Sequence, residues 1–184
     1  MELKEKLSNH YNVKSVQNLS IKVDEENRIV KGVGNTFYWI DSDLEMLISG
    51  SCTKSFRERG VESTGTGKIK HQIDHSLKAA DVVGKFTVLD ERELDGKTVI
   101  YFESKIPKSV KGDMHLSNYK EEIYDNHSIG YRVIRYVVCK KEGKEVKERN
   151  AWNKYYPLAL NPKVADENGV FIVLEEIALY EISV

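Results

Sequence analysis

Long apolar runs are missing from this sequence. No stretch approaches the roughly 20 consecutive apolar residues that a membrane-spanning helix needs. In 184 residues there are only two cysteines, Cys52 and Cys139, too few for a disulfide framework. The opening residues Met1 to Leu7 lack the apolar core of a secretion signal. Together these absences point to a reducing, cytoplasmic setting and no membrane partner. Charge of one sign is also scarce: 28 Lys and Arg stand against 29 Asp and Glu. That balance gives no electrostatic case for nucleic acid as a partner. With three prolines, twelve glycines and no internal repeat, the chain is not low-complexity, and residues 1–184 read as a single domain. Several chemical signatures are absent too. No Gly-Lys-Ser/Thr follows the glycines of Ser63 to Gly67, so there is no phosphate loop. Gln72 stands after His71 where a zinc protease needs glutamate, and His71 with His75 is not expected to hold a metal.

What is present is the pattern of a mostly β, α+β domain with flanking helices. Residues 1–18 have weak helical spacing and read as a loose N-terminal arm. Leu19 to Val23 alternates as a strand and Arg28 to Asn35 resumes as its hairpin partner. Cys52 to Arg59 suits a short helix closed by Gly60. Lys68 to Asp74, Val82 to Leu89 and Lys97 to Ile106 read as strands. Leu116, Tyr119 and Ile123 give a one-sided helix within Gly112 to Tyr124. Ser128 to Val138 and Val170 to Val184 are strands again, the last long enough to require a bend or bulge. Residues 140–168 read as a long insertion, polar at first, then aromatic-rich and irregular around Trp152, Tyr155 and Tyr156. The count is about seven strands and two or three helices, arranged as a closed or nearly closed barrel.

The chemistry gathers around Asn126-His127-Ser128-Ile129-Gly130-Tyr131-Arg132. A serine hydroxyl is a weak nucleophile until a base takes its proton, and histidine is the usual base near neutral pH. His10 lies in the arm, and His115 is expected to be solvated. His127 adjoins Ser128, so on a strand its ring points to the other face. His71, between Ile69 and Ile73 on an apolar face, and His75, just past that strand beside Asp74, are the candidate bases. A lone histidine on such a face is more simply explained as part of the core. Near the end, Glu175, Glu176 and Glu181 interrupt an apolar strand. A carboxylate there could orient the histidine. Glu176 and Glu181 are an odd number apart, so in a regular strand only one of them can do so. Cys139, beside Lys140 and Lys141, has no catalytic partner indicated, and Gly-x-Ser-x-Gly is absent around Ser128.

Four strings in this order resemble the prohead (capsid maturation) protease family of tailed bacteriophages, which is similar in fold to the herpesvirus assembly proteases. The first is Lys31-Gly32-Val33-Gly34 with Asp41-Ser42-Asp43 and Ser49-Gly50, where Ser49 replaces the usual proline. The second is His71-Gln72-Ile73-Asp74, followed by Gly84-Lys85. Ser128-Ile129-Gly130-Tyr131 is the third. Glu176, Leu179 and Glu181-Ile182-Ser183, ending at Val184, form the fourth. The resemblance implies a herpesvirus-protease-like barrel and a Ser-His-Glu endopeptidase. Ser128 would be its nucleophile, His71 its base and Glu181 the third member, with Glu176 as the rival. Gly130 and Arg132 are its oxyanion or substrate candidates, with Arg135 beside them. It further implies scaffold or major capsid protein segments as substrate, with self-cleavage, inside the assembling prohead in the host cytoplasm. No cofactor or metal is required, and the herpesvirus relatives suggest a homodimer. Family members continue past the glutamate strand, so a shortened chain or a self-cleaved tail is expected. The competing expectation is a catalytically silent β-barrel that serves as a scaffold or capsid-assembly partner.

Overall fold

The computed structural model of the chain describes residues 12–16 and 21–184. His10 and most of the expected N-terminal arm, 1–11 and 17–18, lie outside the described residues, as does the start of the strand expected from Leu19. Of the arm, Asn12–Val16 is a strand, β1. The others are β2 (Lys22–Asp24), β3 (Ile29–Thr36), β4 (Glu45–Leu47), β5 (Lys70–Gln72), β6 (Val82–Leu94), β7 (Lys97–Lys105), β8 (His127–Lys140) and β9 (Val170–Ser183). The helices are α1 (Thr53–Arg59), α2 (Val110–Lys120), α3 (Val146–Tyr155) and α4 (Pro162–Asn168).

All nine strands join one sheet in the order β1-β8-β9-β5-β6-β7-β3-β2, with β4 added beside β9. The fold is mixed α+β and mostly strand. The expected closed barrel of about seven strands is not what forms. Among the described residues β1 pairs only with β8 and β2 only with β3, so the path stays open. The physical reason lies at the β2 end: three residues, two of them charged, offer too short a ladder to close on.

The sheet instead folds over itself. The β6-β7-β3 part covers the β8-β9-β5 part, and Val30, Phe37, Ile100, Phe102, Ile129 and Ile182 fill the space between. Glycines in β3 allow the close approach. A Cβ on Gly34 would stand 2.8 Å from Ile182 Cδ1, and one on Gly32 would stand 3.2 Å from His127 Cε1. β8 and β9 form the longest antiparallel pair, with register shifts near Gly130, Val133 and Arg135. β5 is only three residues long. It lies parallel to β9 and antiparallel to β6.

The stretch expected to be an irregular insertion is ordered and mostly helical. Ala151, Trp152 and Tyr155 lie on one side of α3 and are buried with Met46, Cys139, Phe171 and Val173 in a second core. The i, i+4 spacing of Ala151 and Tyr155 is what permits this. α2 is shorter than its apolar spacing suggests. Ser109 caps it by accepting from Gly112 N at 3.1 Å, it ends at Lys120, and Ile123 lies beyond it, exposed.

Candidate functional site

The sheet register decides which of the candidate residues can meet. Ladder partners carry their side chains on the same face, and successive residues alternate. Ser128 pairs with Ser183, which pairs with Gln72, so these three share a face. Ile129 pairs with Ile182, which pairs with His71, so those three share the other. The second face is the core. His71 is therefore on the opposite side of the sheet from Ser128, which corrects the expectation that the two form a catalytic pair.

His71 belongs to an interior chain of hydrogen bonds. Its Nδ1 lies 2.8 Å from Ser104 Oγ and its Nε2 2.8 Å from Tyr119 OH. The same hydroxyl lies 2.9 Å from His127 Nε2. The phenol donates to one ring and accepts from the other, which requires at least the accepting imidazole to be neutral. Burial drives both in that direction. It pushes His71 well below the ordinary imidazole value, with His127 and His115 adding to the effect, and it takes His127 down to about 3. Ser104 and His71 are completely buried. The group is a satisfied core network, the simpler of the two readings open to a histidine on an apolar strand face. His115 was expected to be solvated. It is buried, with Nδ1 3.1 Å from Tyr124 OH.

His75, the other candidate base, sits on the Ser128 side. Immediately after β5 the chain turns through two consecutive left-handed residues, Asp74 at φ 50° and His75 at φ 52°. Neither is glycine, and such backbone costs about 1–2 kcal/mol per residue. The turn is held by Asp74 N donating to Val184 O at 3.0 Å and Ser76 N to Ile73 O at 3.0 Å. It brings the His75 ring over the end of β9. There Nδ1 lies 2.8 Å from Glu181 Oε1, and Glu181 is completely buried. Ser183 Oγ donates to the other carboxylate oxygen and accepts from His75 N at 3.2 Å. With Nδ1–H donating to the carboxylate, Nε2 is the ring's proton-accepting nitrogen.

Ser128 is the direct cross-strand neighbour of Ser183 and lies diagonal to Glu181, which pairs with Gly130. Serine, histidine and glutamate thus meet on one face around Ser183. Among the described residues no hydrogen bond joins Ser128 Oγ to His75. Gly130 is on the same face as Ser128. Arg132 is on that face too and exposed, four residues along β8, about 13 Å at the backbone. Glu176 points elsewhere. It holds Arg135 Nη1 at 3.0 Å and lies 3.7 Å from Lys54 Nζ on the surface. Arg135 is divided between Glu176 and Glu175. Gln72 is buried, and among the described residues its Oε1 has no hydrogen-bond partner.

Cys139 is completely buried, and desolvation raises its thiol to about 12, the reverse of an activated nucleophile. Among the described residues no three His, Cys, Asp or Glu side chains gather as a metal site would need. Within the same residues no helix is long and apolar enough to cross a membrane. Sequence reasoning gave Ser183 no role. Its signal was its place two residues after Glu181, on the same strand face. Comparison with family models, curated proteins and solved structures found no match to this chain.

Proposed function

We infer that the chain is a serine endopeptidase, with Ser128 as nucleophile, His75 as general base and Glu181 as the residue that orients the base. The observation that carries this reading is the 2.8 Å contact between His75 Nδ1 and buried Glu181, on the face that Ser128 shares. Ser128 Oγ attacks the scissile carbonyl as its proton passes to His75 Nε2. The imidazolium, stabilised by the Glu181 carboxylate, then protonates the leaving amine. Water, deprotonated by the same imidazole, releases the acyl group from Ser128. Backbone N–H groups near Gly130 are the candidates for holding the oxyanion. The strained turn at Asp74 and His75 is consistent with a working site, where such strain concentrates. The resemblance to prohead proteases supplies the proposed substrate, an extended segment of a scaffold or capsid protein, and the proposed place, an assembling viral shell. A herpesvirus-protease-like architecture and a homodimer rest on that resemblance alone.

Co-expression with the capsid precursor, read by product mass, tests the reading. Ser128→Ala is expected to abolish processing, and His75→Ala to slow it about 10³-fold or more. Processing by Ser128→Ala at the normal rate would sink it.

One observation favours a second reading, a silent scaffold on the same fold. Ser128 Oγ and His75 make no hydrogen bond among the described residues. A fluorophosphonate probe separates the two. Labelling of Ser128 that is lost in His75→Ala supports the enzyme, whereas no labelling in an intact shell assembly reaction supports the scaffold.

A further inference from the structure

A cavity of about 290 Å³ opens at the start of β5, where β6 runs on past it. β5 pairs with β6 only through His71 and Gln72, against Gly84 and Val82. From Lys85 onward β6 has β7 on one side and, among the described residues, no strand on the other. The far wall of the gap is the end of α1 and the segment leading into β5. Val61, Ile69, Val82, Phe86 and Leu89 make its apolar lining.

Four cations also line the gap: Arg59, Lys68, Lys70 and Lys85, with no carboxylate among them. Two are engaged by the fold. Arg59 donates to Leu179 O and stacks on Tyr180, while Lys68 donates to Gly60 O and to other carbonyls of its loop. Lys70 and Lys85 are exposed, and neither has an ion-pair partner among the described residues. Alternation fixes their side. Phe86 stacks on His71 and faces the interior, so Lys85 faces the other way, and Lys70 faces with its partner Glu181.

We propose that this gap is a docking site for an extended peptide segment with an acidic–apolar–acidic pattern. The segment adds as a strand along the free edge of β6 from Lys85. Its apolar side chain enters the cavity, and the acidic residues on either side of it meet Lys70 and Lys85 on the opposite face. The strand edge supplies main-chain hydrogen bonds, and the cavity and lysines supply selectivity, as in other strand-addition complexes. A fatty acid would satisfy the cavity and the lysines but would leave the strand edge unused, so the peptide is the better match. The site adjoins the candidate catalytic face, because Lys70 is the ladder partner of Glu181, but peptide binding there does not depend on the chemistry of Ser128. In a protease it would anchor the substrate beside the scissile bond.

Isothermal titration of the Ser128→Ala protein with the blocked peptide Ser-Thr-Glu-Leu-Glu-Thr-Ser tests the site without cleavage. A Kd of about 10–100 μM is expected, within the range of single-strand recognition. Lys70→Glu with Lys85→Glu should weaken this peptide about tenfold or more and strengthen its Lys-Leu-Lys counterpart. Both lysines are exposed, so the double variant is expected to fold, and circular dichroism checks that it does. Methylating the backbone nitrogens of the two residues after leucine should also weaken binding about tenfold. Equal binding of the methylated peptide overturns strand addition. No heat at about 1 mM peptide, or binding of decanoate but not the peptide, overturns the proposal entirely.

Discussion

Tyr119→Phe is the sharpest single test of the interior histidine chain. The substitution keeps the ring and removes one hydroxyl that serves two imidazoles, His71 at 2.8 Å and His127 at 2.9 Å. An unsatisfied buried polar atom costs about 1–3 kcal/mol, so two stranded ring nitrogens place the loss at about 2–6 kcal/mol. The chain also makes a prediction about acid. Folded His127 is held down to about 3, whereas an unfolded histidine titrates near 6.5. Between those values the unfolded state binds the proton and the folded state does not. Stability is therefore fully present above about 6.5 and falls as pH drops below it. pH 5 lies about 1.5 units below the pKa of an unfolded histidine, so His127 alone removes about 2 kcal/mol relative to pH 8. His71 is also depressed by burial and adds in the same direction. Urea unfolding at pH 8 and pH 5, followed by tryptophan fluorescence, reads both effects. A Tyr119→Phe loss under about 0.5 kcal/mol, or a wild-type stability unchanged between the two pH values, would refute the reasoning.

Other predictions concern the supports around the site. Gly84→Ala places a Cβ 2.5 Å from Ser104 Oγ and 2.8 Å from Lys105 O, so it should cost about 1–3 kcal/mol and disturb the His71 hydrogen bond, measurable by thermal unfolding. Tyr131→Phe removes a buried 2.7 Å hydrogen bond to Glu45, and chemical denaturation should register a loss of about 1.5–3 kcal/mol. Glu176→Gln changes a surface contact with Arg135; stability should move by less than about 1 kcal/mol, with processing unaffected. Glu181→Gln should leave the protein folded and slow processing about 10²-fold or more, compared at equal folded fraction by mass of the products.

Much of the strand pattern was legible in the sequence, because the alternation from Arg28 and the runs around Val99, Ser128 and Val170 are periodic signals. Closure was not. Whether a sheet seals depends on whether its end strands find partners, and nothing in Lys22–Asp24 announces that its ladder stops after three residues. Residues 140–168 were misjudged for a related reason. Their helices have short apolar faces, and burying Trp152 and Tyr155 depends on Met46 and Phe171, which are distant in sequence. Tertiary partners, rather than local preference, made that stretch ordered.

Face arithmetic bears most directly on function. A histidine between two isoleucines on a strand carries two meanings, catalytic or core, and strand periodicity alone cannot separate them. Register can. Once Ser128 pairs with Ser183, every residue in β9 and β5 has an assigned side. His71 falls with Ile129 and Ile182, while Glu181 falls with Ser128. A base on the Ser128 side must then come from outside the ladder. The left-handed pair Asp74 and His75 reverses the chain there and sets an imidazole against a buried carboxylate. A buried glutamate is costly unless its charge is met, and here hydrogen bonds from His75 and Ser183 reach both oxygens. The odd spacing of Glu176 and Glu181 has the same logic. The register shift between Gly130 and Tyr131 resets the faces of β9, yet Glu181 stays on the Ser128 face and Glu176 reaches Arg135 at the surface. The sequence motif brings His71 and His75 within four residues of each other; the register assigns His71 to the core, and the turn after β5 brings His75 to the candidate site.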